Sequence, residues 1–159
     1  MKRPLSMLLA TAALALGVWV LPGHAGATNI GQEGCTPGYW KNHTDAWEEF
    51  TPGTPLNVYA SNFTFPDELA KYRTMTFLEA LKFKGGAGVE GATQILMRAA
   101  TAAFLNAAHE GVGYPYRRYT DPFNIQDQVN AALASLDRDT MLGLAATLDR
   151  ANNLGCPLN

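Results

Sequence analysis

The two cysteines constrain the fold of this chain more than any other feature, because each has only the other as a partner. In an exported protein, a pair of cysteines most often forms one disulfide. A bond between Cys35 and Cys156 would bring the two ends of the domain together and, in the chain-entropy model, stabilise it by roughly 4 to 5 kcal/mol. Metal or haem binding is a weaker interpretation, because no second cysteine lies at ligand spacing.

The N-terminal residues have the three parts of an export signal. Lys2 and Arg3 provide the positive region, an apolar run follows at residues 5–21, and Ala25-Gly26-Ala27 fits a cleavage site. We therefore predict a signal peptide at residues 1–27 and a secreted, periplasmic or cell-surface location. The apolar run also reaches the lower limit for a membrane span, so an uncleaved anchor is the alternative. No membrane span is expected after signal removal.

Residues 28–159 suit one domain, which at this size can bury roughly two-thirds of the surface of the unfolded chain. Without Lys2 and Arg3, ten basic residues remain against fourteen acidic ones, a net charge of about −4. This balance argues against a nucleic-acid partner, which would need a basic face. No cofactor is expected.

The pattern of apolar residues predicts an all-α domain of about five or six helices, because no segment shows sustained period-two alternation. The longest helix is predicted at residues 89–109, where seven alanines favour a central helix that its neighbours can approach closely. Residues 51–65, with two prolines, Pro52 and Pro55, are predicted to be one ordered loop. Shorter helices are predicted to begin at Thr36-Pro37, at Pro66, at the capping box Thr76 to Glu79, at Asp121-Pro122 and at Asp137.

The segment from Cys35 to His43 combines a cysteine, two aromatic residues, a cation, an amide and an imidazole in nine residues. On a helix that begins at Thr36, either Tyr39 or Trp40 would share one face with His43, Trp47 and Phe50, and that face would pack against the core. The spacing does not decide whether Lys41, Asn42 and His43 face a pocket or only complete the helix.

This segment and the C-terminal half resemble a group of exported bacterial proteins of unknown function that carry a Cys-x-x-Gly-Tyr-Trp-Lys-Asn-His signature. The matching residues of the signature are Cys35, Gly38, Tyr39, Trp40, Lys41, Asn42 and His43, followed by Trp47. The resemblance continues through residues 104–109, Tyr114-Pro115 and residues 148–158. It implies an exported one-domain protein closed by a terminal disulfide, and it implies no catalytic role for any residue.

His43 and His109 are the only histidines after the predicted signal peptide, and histidine is the usual general base near neutral pH. With Lys41 they are the catalytic candidates for a small extracellular hydrolase or lyase, which would need both histidines in one pocket. As a further alternative, the two histidines would be ligands of a structural metal. A structural role for both is favoured, because the sequence has no G-x-S-x-G elbow, no H-E-x-x-H motif and no discriminating pair of carboxylates.

The leading hypothesis is an exported, non-enzymatic domain that binds an extracellular polymer or protein, or assembles with copies of itself. Tyrosine rings offer stacking faces with a polar edge, and arginine suits carboxylates. Tyr114, Tyr116 and Tyr119 are predicted to be the more exposed aromatic residues. The candidate binding residues are Tyr39, Trp40, Lys41, Asn42, His43, Tyr114, Tyr116, Arg117, Arg118 and Tyr119.

Overall fold

The alanine-rich segment forms the longest helix in the computed structural model, which describes residues 31–58 and 62–159. We number the α-helices of these residues in chain order, and this one, Gly88–Ala108, is α3. Fourteen of its 21 residues are buried, so other elements surround it on most sides. The predicted central helix is therefore confirmed. The predicted signal peptide at residues 1–27 lies outside the described residues.

Two C-terminal helices pack against α3. Helix α5, Arg138–Asn152, runs along α3 over a longer contact than any other helix makes, and it buries Met141, Ala145 and Leu148 at helical spacing. Helix α4, Ile125–Ser135, begins three residues after the predicted Pro122, because the Asn124 side chain caps it by accepting a hydrogen bond from the Asp127 backbone N–H. The predicted cap of α5 by Asp137 is confirmed.

The first helix is short. Helix α1, Pro37–Asn42, is capped by the Thr36 hydroxyl and ends where the His43 backbone leaves the helical region. A separate 3-10 helix, Thr44–Ala46, follows, so the expected face from residue 39 to residue 50 does not lie on one continuous helix. Trp47 still contacts the start of this segment, because its indole N–H donates to the Trp40 carbonyl at 3.0 Å.

The region between α1 and α3 is held against α3 by aromatic side chains. A second 3-10 helix, Asp67–Tyr72, precedes α2, Phe77–Leu81, whose predicted capping box between Thr76 and Glu79 is present. The hydrogen bonds of this box lower the pKa of Glu79. Of the predicted loop, the structure describes residues 51–58 and 62–65, and these form an irregular segment packed against the core. It buries Leu56, Phe63 and Phe65 in the core.

The predicted disulfide between Cys35 and Cys156 is present and joins the two ends of a compact single domain. An antiparallel bridge between Gly34 and Gly155 lies beside it. Gly34 packs so tightly there that a Cβ atom would lie 2.1 Å from the Ala151 carbonyl oxygen. The described residues contain isolated bridges but no strand, so the all-α prediction is confirmed. Within the same residues, no helix is both long and apolar enough to cross a membrane.

Candidate functional site

The side-chain amide of Asn106, a buried residue of α3, binds the backbone of the disulfide cysteine Cys35. The Asn106 side-chain oxygen accepts hydrogen bonds from the Cys35 backbone N–H at 2.7 Å and from the Trp40 indole N–H at 3.1 Å. Its amide nitrogen donates to the Cys35 carbonyl at 2.9 Å and to the Asn152 side-chain oxygen at 3.0 Å. One fully buried side chain thereby joins the start of the domain, α1 and α5.

The network continues through Asn152 to the loop after α3. The Asn152 oxygen also accepts from the Tyr114 hydroxyl at 2.8 Å, and its nitrogen donates to the Ala99 carbonyl at 3.0 Å. We call this set of residues the clasp: Cys35, Trp40, Asn106, Tyr114, Asn152 and Cys156. Every polar side-chain group of Asn106 and Asn152 has a partner, as a buried network requires.

Two of the predicted binding residues belong to the clasp. Trp40 is completely buried, and Tyr114 is only 8% exposed. Burial also raises the pKa of the Tyr114 hydroxyl, which keeps it a neutral hydrogen-bond donor. The prediction that Tyr114 is exposed is therefore wrong, and neither ring offers a free face to a ligand. Both rings are buried because the Trp40 indole N–H and the Tyr114 hydroxyl donate hydrogen bonds to buried asparagine side chains of the clasp.

The remaining residues of the signature are distributed around α1. Tyr39, Asn42 and His43 line one groove, about 390 Å³ in volume, together with Asn153, Cys156 and Asn159; we call it the terminal groove. Lys41 lines instead a neighbouring groove. Only some of the predicted residues are therefore brought together, since α1 turns Lys41 away from its neighbours.

His43 is exposed and has one free ring nitrogen. Its ring stacks on Tyr39 with 4.2 Å between centroids, and its Nδ1 lies 2.9 Å from the Tyr39 carbonyl oxygen. Because a carbonyl only accepts, Nδ1 carries the proton in this contact, and Nε2 of a neutral ring keeps its lone pair. The residues that line the terminal groove include no acidic, lysine or serine side chain that would complete an acid–base pair with it.

His109 lies in a different environment. Its Nδ1 accepts a hydrogen bond from the Gly111 backbone N–H at 3.0 Å, and its Nε2 faces Glu48 Oε1 at 3.6 Å. The other Glu48 oxygen accepts from the Glu110 backbone N–H at 2.7 Å. The two histidines line different grooves, so the pocket that the enzyme hypothesis requires is not formed by them. Across the described ranges, no cluster of three or more His, Cys, Asp or Glu side chains is placed to hold a metal ion.

The groove that contains His109 is the larger of these, with a volume of about 740 Å³. We call it the tyrosine groove. Its wall is the loop after α3, which contributes Tyr116, Arg117, Arg118 and Tyr119, all named as binding candidates from the sequence. The structure therefore brings these four residues together. Tyr116 and Tyr119 are partly exposed, and Arg117 is exposed.

This loop is held in place from both sides. The Arg118 guanidinium pairs with Glu49 at 2.8 Å and lies 5.4 Å from the ring centres of Phe50 and Tyr119. The Arg117 carbonyl accepts from the Ile125 backbone N–H at 2.9 Å. Partial burial raises the pKa of Tyr119. By contrast, no described residue pairs with the guanidinium of Arg117, which leaves this cation available to a ligand.

The groove that receives Lys41 is about 530 Å³ in volume, and we call it the lysine groove. Lys82, Lys84 and Arg98 line it together with one carboxylate, Asp149. The sequence analysis did not predict these three cations as site residues. The Lys-Phe-Lys sequence at residues 82–84 was the local signal for two of them. Their approach to Lys41 depends on the packing of α1 against α2 and α3.

Compared with protein-family models, with curated proteins and with solved structures, the chain matches none of them.

Proposed function

We propose that this protein is an exported, non-enzymatic domain that binds an extracellular polymer through the tyrosine groove. The observation that carries the proposal is the unpaired guanidinium of Arg117 between two partly exposed tyrosines, in a groove of about 740 Å³. The disulfide is compatible with a location outside the cytoplasm. The function is thus assigned to a surface on which the guanidinium of Arg117 has no partner among the described residues.

Contacts within the protein fix the shape of the groove. Arg118 fixes the loop to Glu49, and the Ile125 backbone N–H fixes the carbonyl of Arg117. The far end of the loop leads into α4, whose cap is complete. A surface that is ordered before binding loses less conformational entropy on binding, so modest contacts can give useful affinity.

The chemistry of the groove favours an acidic polysaccharide. Tyr116 and Tyr119 offer flat apolar rings with a hydroxyl at the edge, which suits a sugar unit. The guanidinium of Arg117 has the planar geometry that binds a carboxylate through two parallel hydrogen bonds. A chain of uronic acid units would supply both the ring faces and the carboxylates.

The alternative, a small hydrolase or lyase, has less support from the geometry. His43 keeps a free nitrogen, but the described lining of the terminal groove supplies no acidic side chain, serine or free thiol beside it. Both ring nitrogens of His109 face protein groups. Both cysteines are in the disulfide, so no free thiol is present.

Affinity electrophoresis of the mature protein in gels that contain polygalacturonate tests the proposal, with neutral dextran gels as the reference. We expect retardation by polygalacturonate only. Arg117→Ala should weaken it by about fivefold, since an exposed charge pair contributes up to about 1 kcal/mol. Arg150→Ala is the matched control, because it removes an exposed arginine far from the groove loop in sequence and is expected to change nothing.

Equal retardation of the Arg117 and Arg150 variants would refute the tyrosine groove as the site. If the protein is not retarded and sedimentation shows larger assemblies, self-assembly replaces polymer binding as the function. A protein that is monomeric and not retarded by acidic or neutral polymers contradicts the binding proposal.

A further inference from the structure

We propose that the lysine groove is a second binding site, specific for phosphate groups. It is separate from the tyrosine groove and does not depend on the function proposed there. The groove gathers Lys41, Lys82, Lys84 and Arg98 from α1, from the end of α2 and from α3. Four of the ten basic residues that follow the predicted signal peptide therefore line one cleft of an acidic protein.

The cations of the groove lack the carboxylate partners that three other cations of the described residues have. Lys71, Arg73 and Arg118 each form an ion pair with a carboxylate, at 2.7 to 2.8 Å. In the described part of the chain, no ion pair is formed by any of the four groove cations, which are Lys41, Lys82, Lys84 and Arg98. Like charges that share a cleft repel one another, and the cleft concentrates their field, so an anion that enters it is attracted by all of them.

The carboxylate of the groove does not neutralise it. Asp149 is half-buried, and that burial raises its pKa, while the charge of Arg98 acts in the opposite direction. With Asp149 ionised, one negative charge still faces four positive ones. The groove as a whole is therefore a positive site.

The backbone around these cations is fixed. The Lys82 backbone N–H donates to the Glu79 carbonyl at 3.0 Å at the end of α2. The Arg98 guanidinium donates to the Phe83 carbonyl at 3.1 Å, which ties α3 to the Lys-Phe-Lys turn. The next residue, Gly85, is held by the side chain of Gln94 at 3.2 Å. A ligand would therefore meet a preformed arrangement with mobile ammonium groups at its rim.

The kind of cation decides the class of ligand. Three of the four groups are lysines, whose ammonium groups act as point charges with three donors each. Arg98 already uses part of its guanidinium on the Phe83 carbonyl, so a bidentate carboxylate contact is disfavoured. Several point charges around one cleft suit a compact group with two or more negative charges, and phosphate has that chemistry.

The test uses tripolyphosphate and isothermal titration calorimetry of the mature protein at low ionic strength. We expect binding that weakens as salt is added, because the cations are exposed and screened. The double variant Lys82→Ala/Lys84→Ala should lose about tenfold in affinity, because it removes two of the four charges that attract the anion. Lys71→Ala/Arg150→Ala removes the same charge from exposed positions outside the grooves and should bind within about twofold of the unmodified protein.

Two additional measurements sharpen the result. Asp149→Asn removes the carboxylate of the groove and should tighten tripolyphosphate binding. Inorganic monophosphate and poly(glycerol phosphate) are titrated as well, and stronger binding of the polymer would assign the site to a phosphate-bearing chain rather than to free phosphate. Equal losses in the two double variants, or no heat of binding by the unmodified protein, would overturn the proposal. Melting temperatures of all variants establish that they are folded.

Discussion

The clasp and the tyrosine groove are adjacent in sequence, yet they use the same residue types in opposite ways. In the clasp, Tyr114 is buried and its hydroxyl is bound by Asn152. Two residues later, Tyr116 is partly exposed, and its hydroxyl has no hydrogen-bond partner among the described residues. The comparison shows that aromatic and polar residues of the segment at residues 35–43 and Tyr114 stabilise the core. The loop at residues 116–119 instead exposes its side chains at the surface.

The largest effect should come from breaking the disulfide of the clasp. Cys156→Ser is expected to lower the free energy of unfolding by up to roughly 4 to 5 kcal/mol, and by less if the denatured chain is compact. Urea denaturation of the variant, and of the unmodified protein with and without reductant, measures this loss of unfolding free energy. Equal denaturation midpoints in the two conditions would contradict a stabilising role.

The next effect tests the amide at the centre of the clasp. Asn106→Ala leaves the backbone N–H of Cys35 and the indole N–H of Trp40 buried without their acceptor. We expect a loss of roughly 3 to 4 kcal/mol, because each buried unsatisfied group costs about 1 to 3 kcal/mol. Asn42→Ala, at an exposed position, is the control and should be nearly neutral in the same urea titration. A similar loss of unfolding free energy in both variants would contradict the central role of Asn106.

A matched pair of tyrosine substitutions compares the two regions directly. Tyr114→Phe removes the buried hydrogen bond to Asn152 and should cost about 1 to 2 kcal/mol. Tyr116→Phe removes a hydroxyl that the fold does not use and should change stability by less than about 0.5 kcal/mol. Thermal unfolding of the two proteins measures the difference. If Tyr116→Phe is the more destabilising, the assignment of the two tyrosines is reversed.

The smallest effect concerns Asp149, one turn before the clasp residue Asn152. Burial raises its pKa above the ordinary value of 3.8, so just above that pH the folded protein binds more protons than the unfolded chain. Stability therefore falls as pH rises through this window. Asp149→Asn should lack this fall and gain less than about 1 kcal/mol at neutral pH, since the half-exposed carboxylate is screened. The measurement is the unfolding free energy as a function of pH. Identical profiles for the variant and the unmodified protein would contradict the role of Asp149.

The sequence predicted the local features well, because they depend on neighbours in the chain. The capping box at Thr76, the cap at Asp137 and the alanine-rich helix follow from local hydrogen bonding and helix propensity. The disulfide followed from a count of two cysteines. Tyr116, Arg117, Arg118 and Tyr119 share a groove because they are nearly consecutive on one loop.

The features that the sequence did not predict depend on contacts between distant residues. Nothing in the local sequence distinguishes Asn106 and Asn152 from other asparagines on helices. Only the packing of α3 on α5 places them together. The burial of Tyr114 depends on that same pair. Likewise, Lys41 reaches Lys82 and Lys84 only through the docking of α1 beside α2. Local sequence patterns do not predict contacts between residues that are distant in the chain.

The bond between Cys35 and Cys156 also makes the domain a covalent ring. Its two cysteines are 121 residues apart, so nearly all of the described chain lies between them. A protease that cuts once anywhere inside this ring leaves both pieces attached to each other. At the extracellular location proposed above, where proteases are common, a nicked molecule would therefore keep both fragments together, and only reduction would separate them.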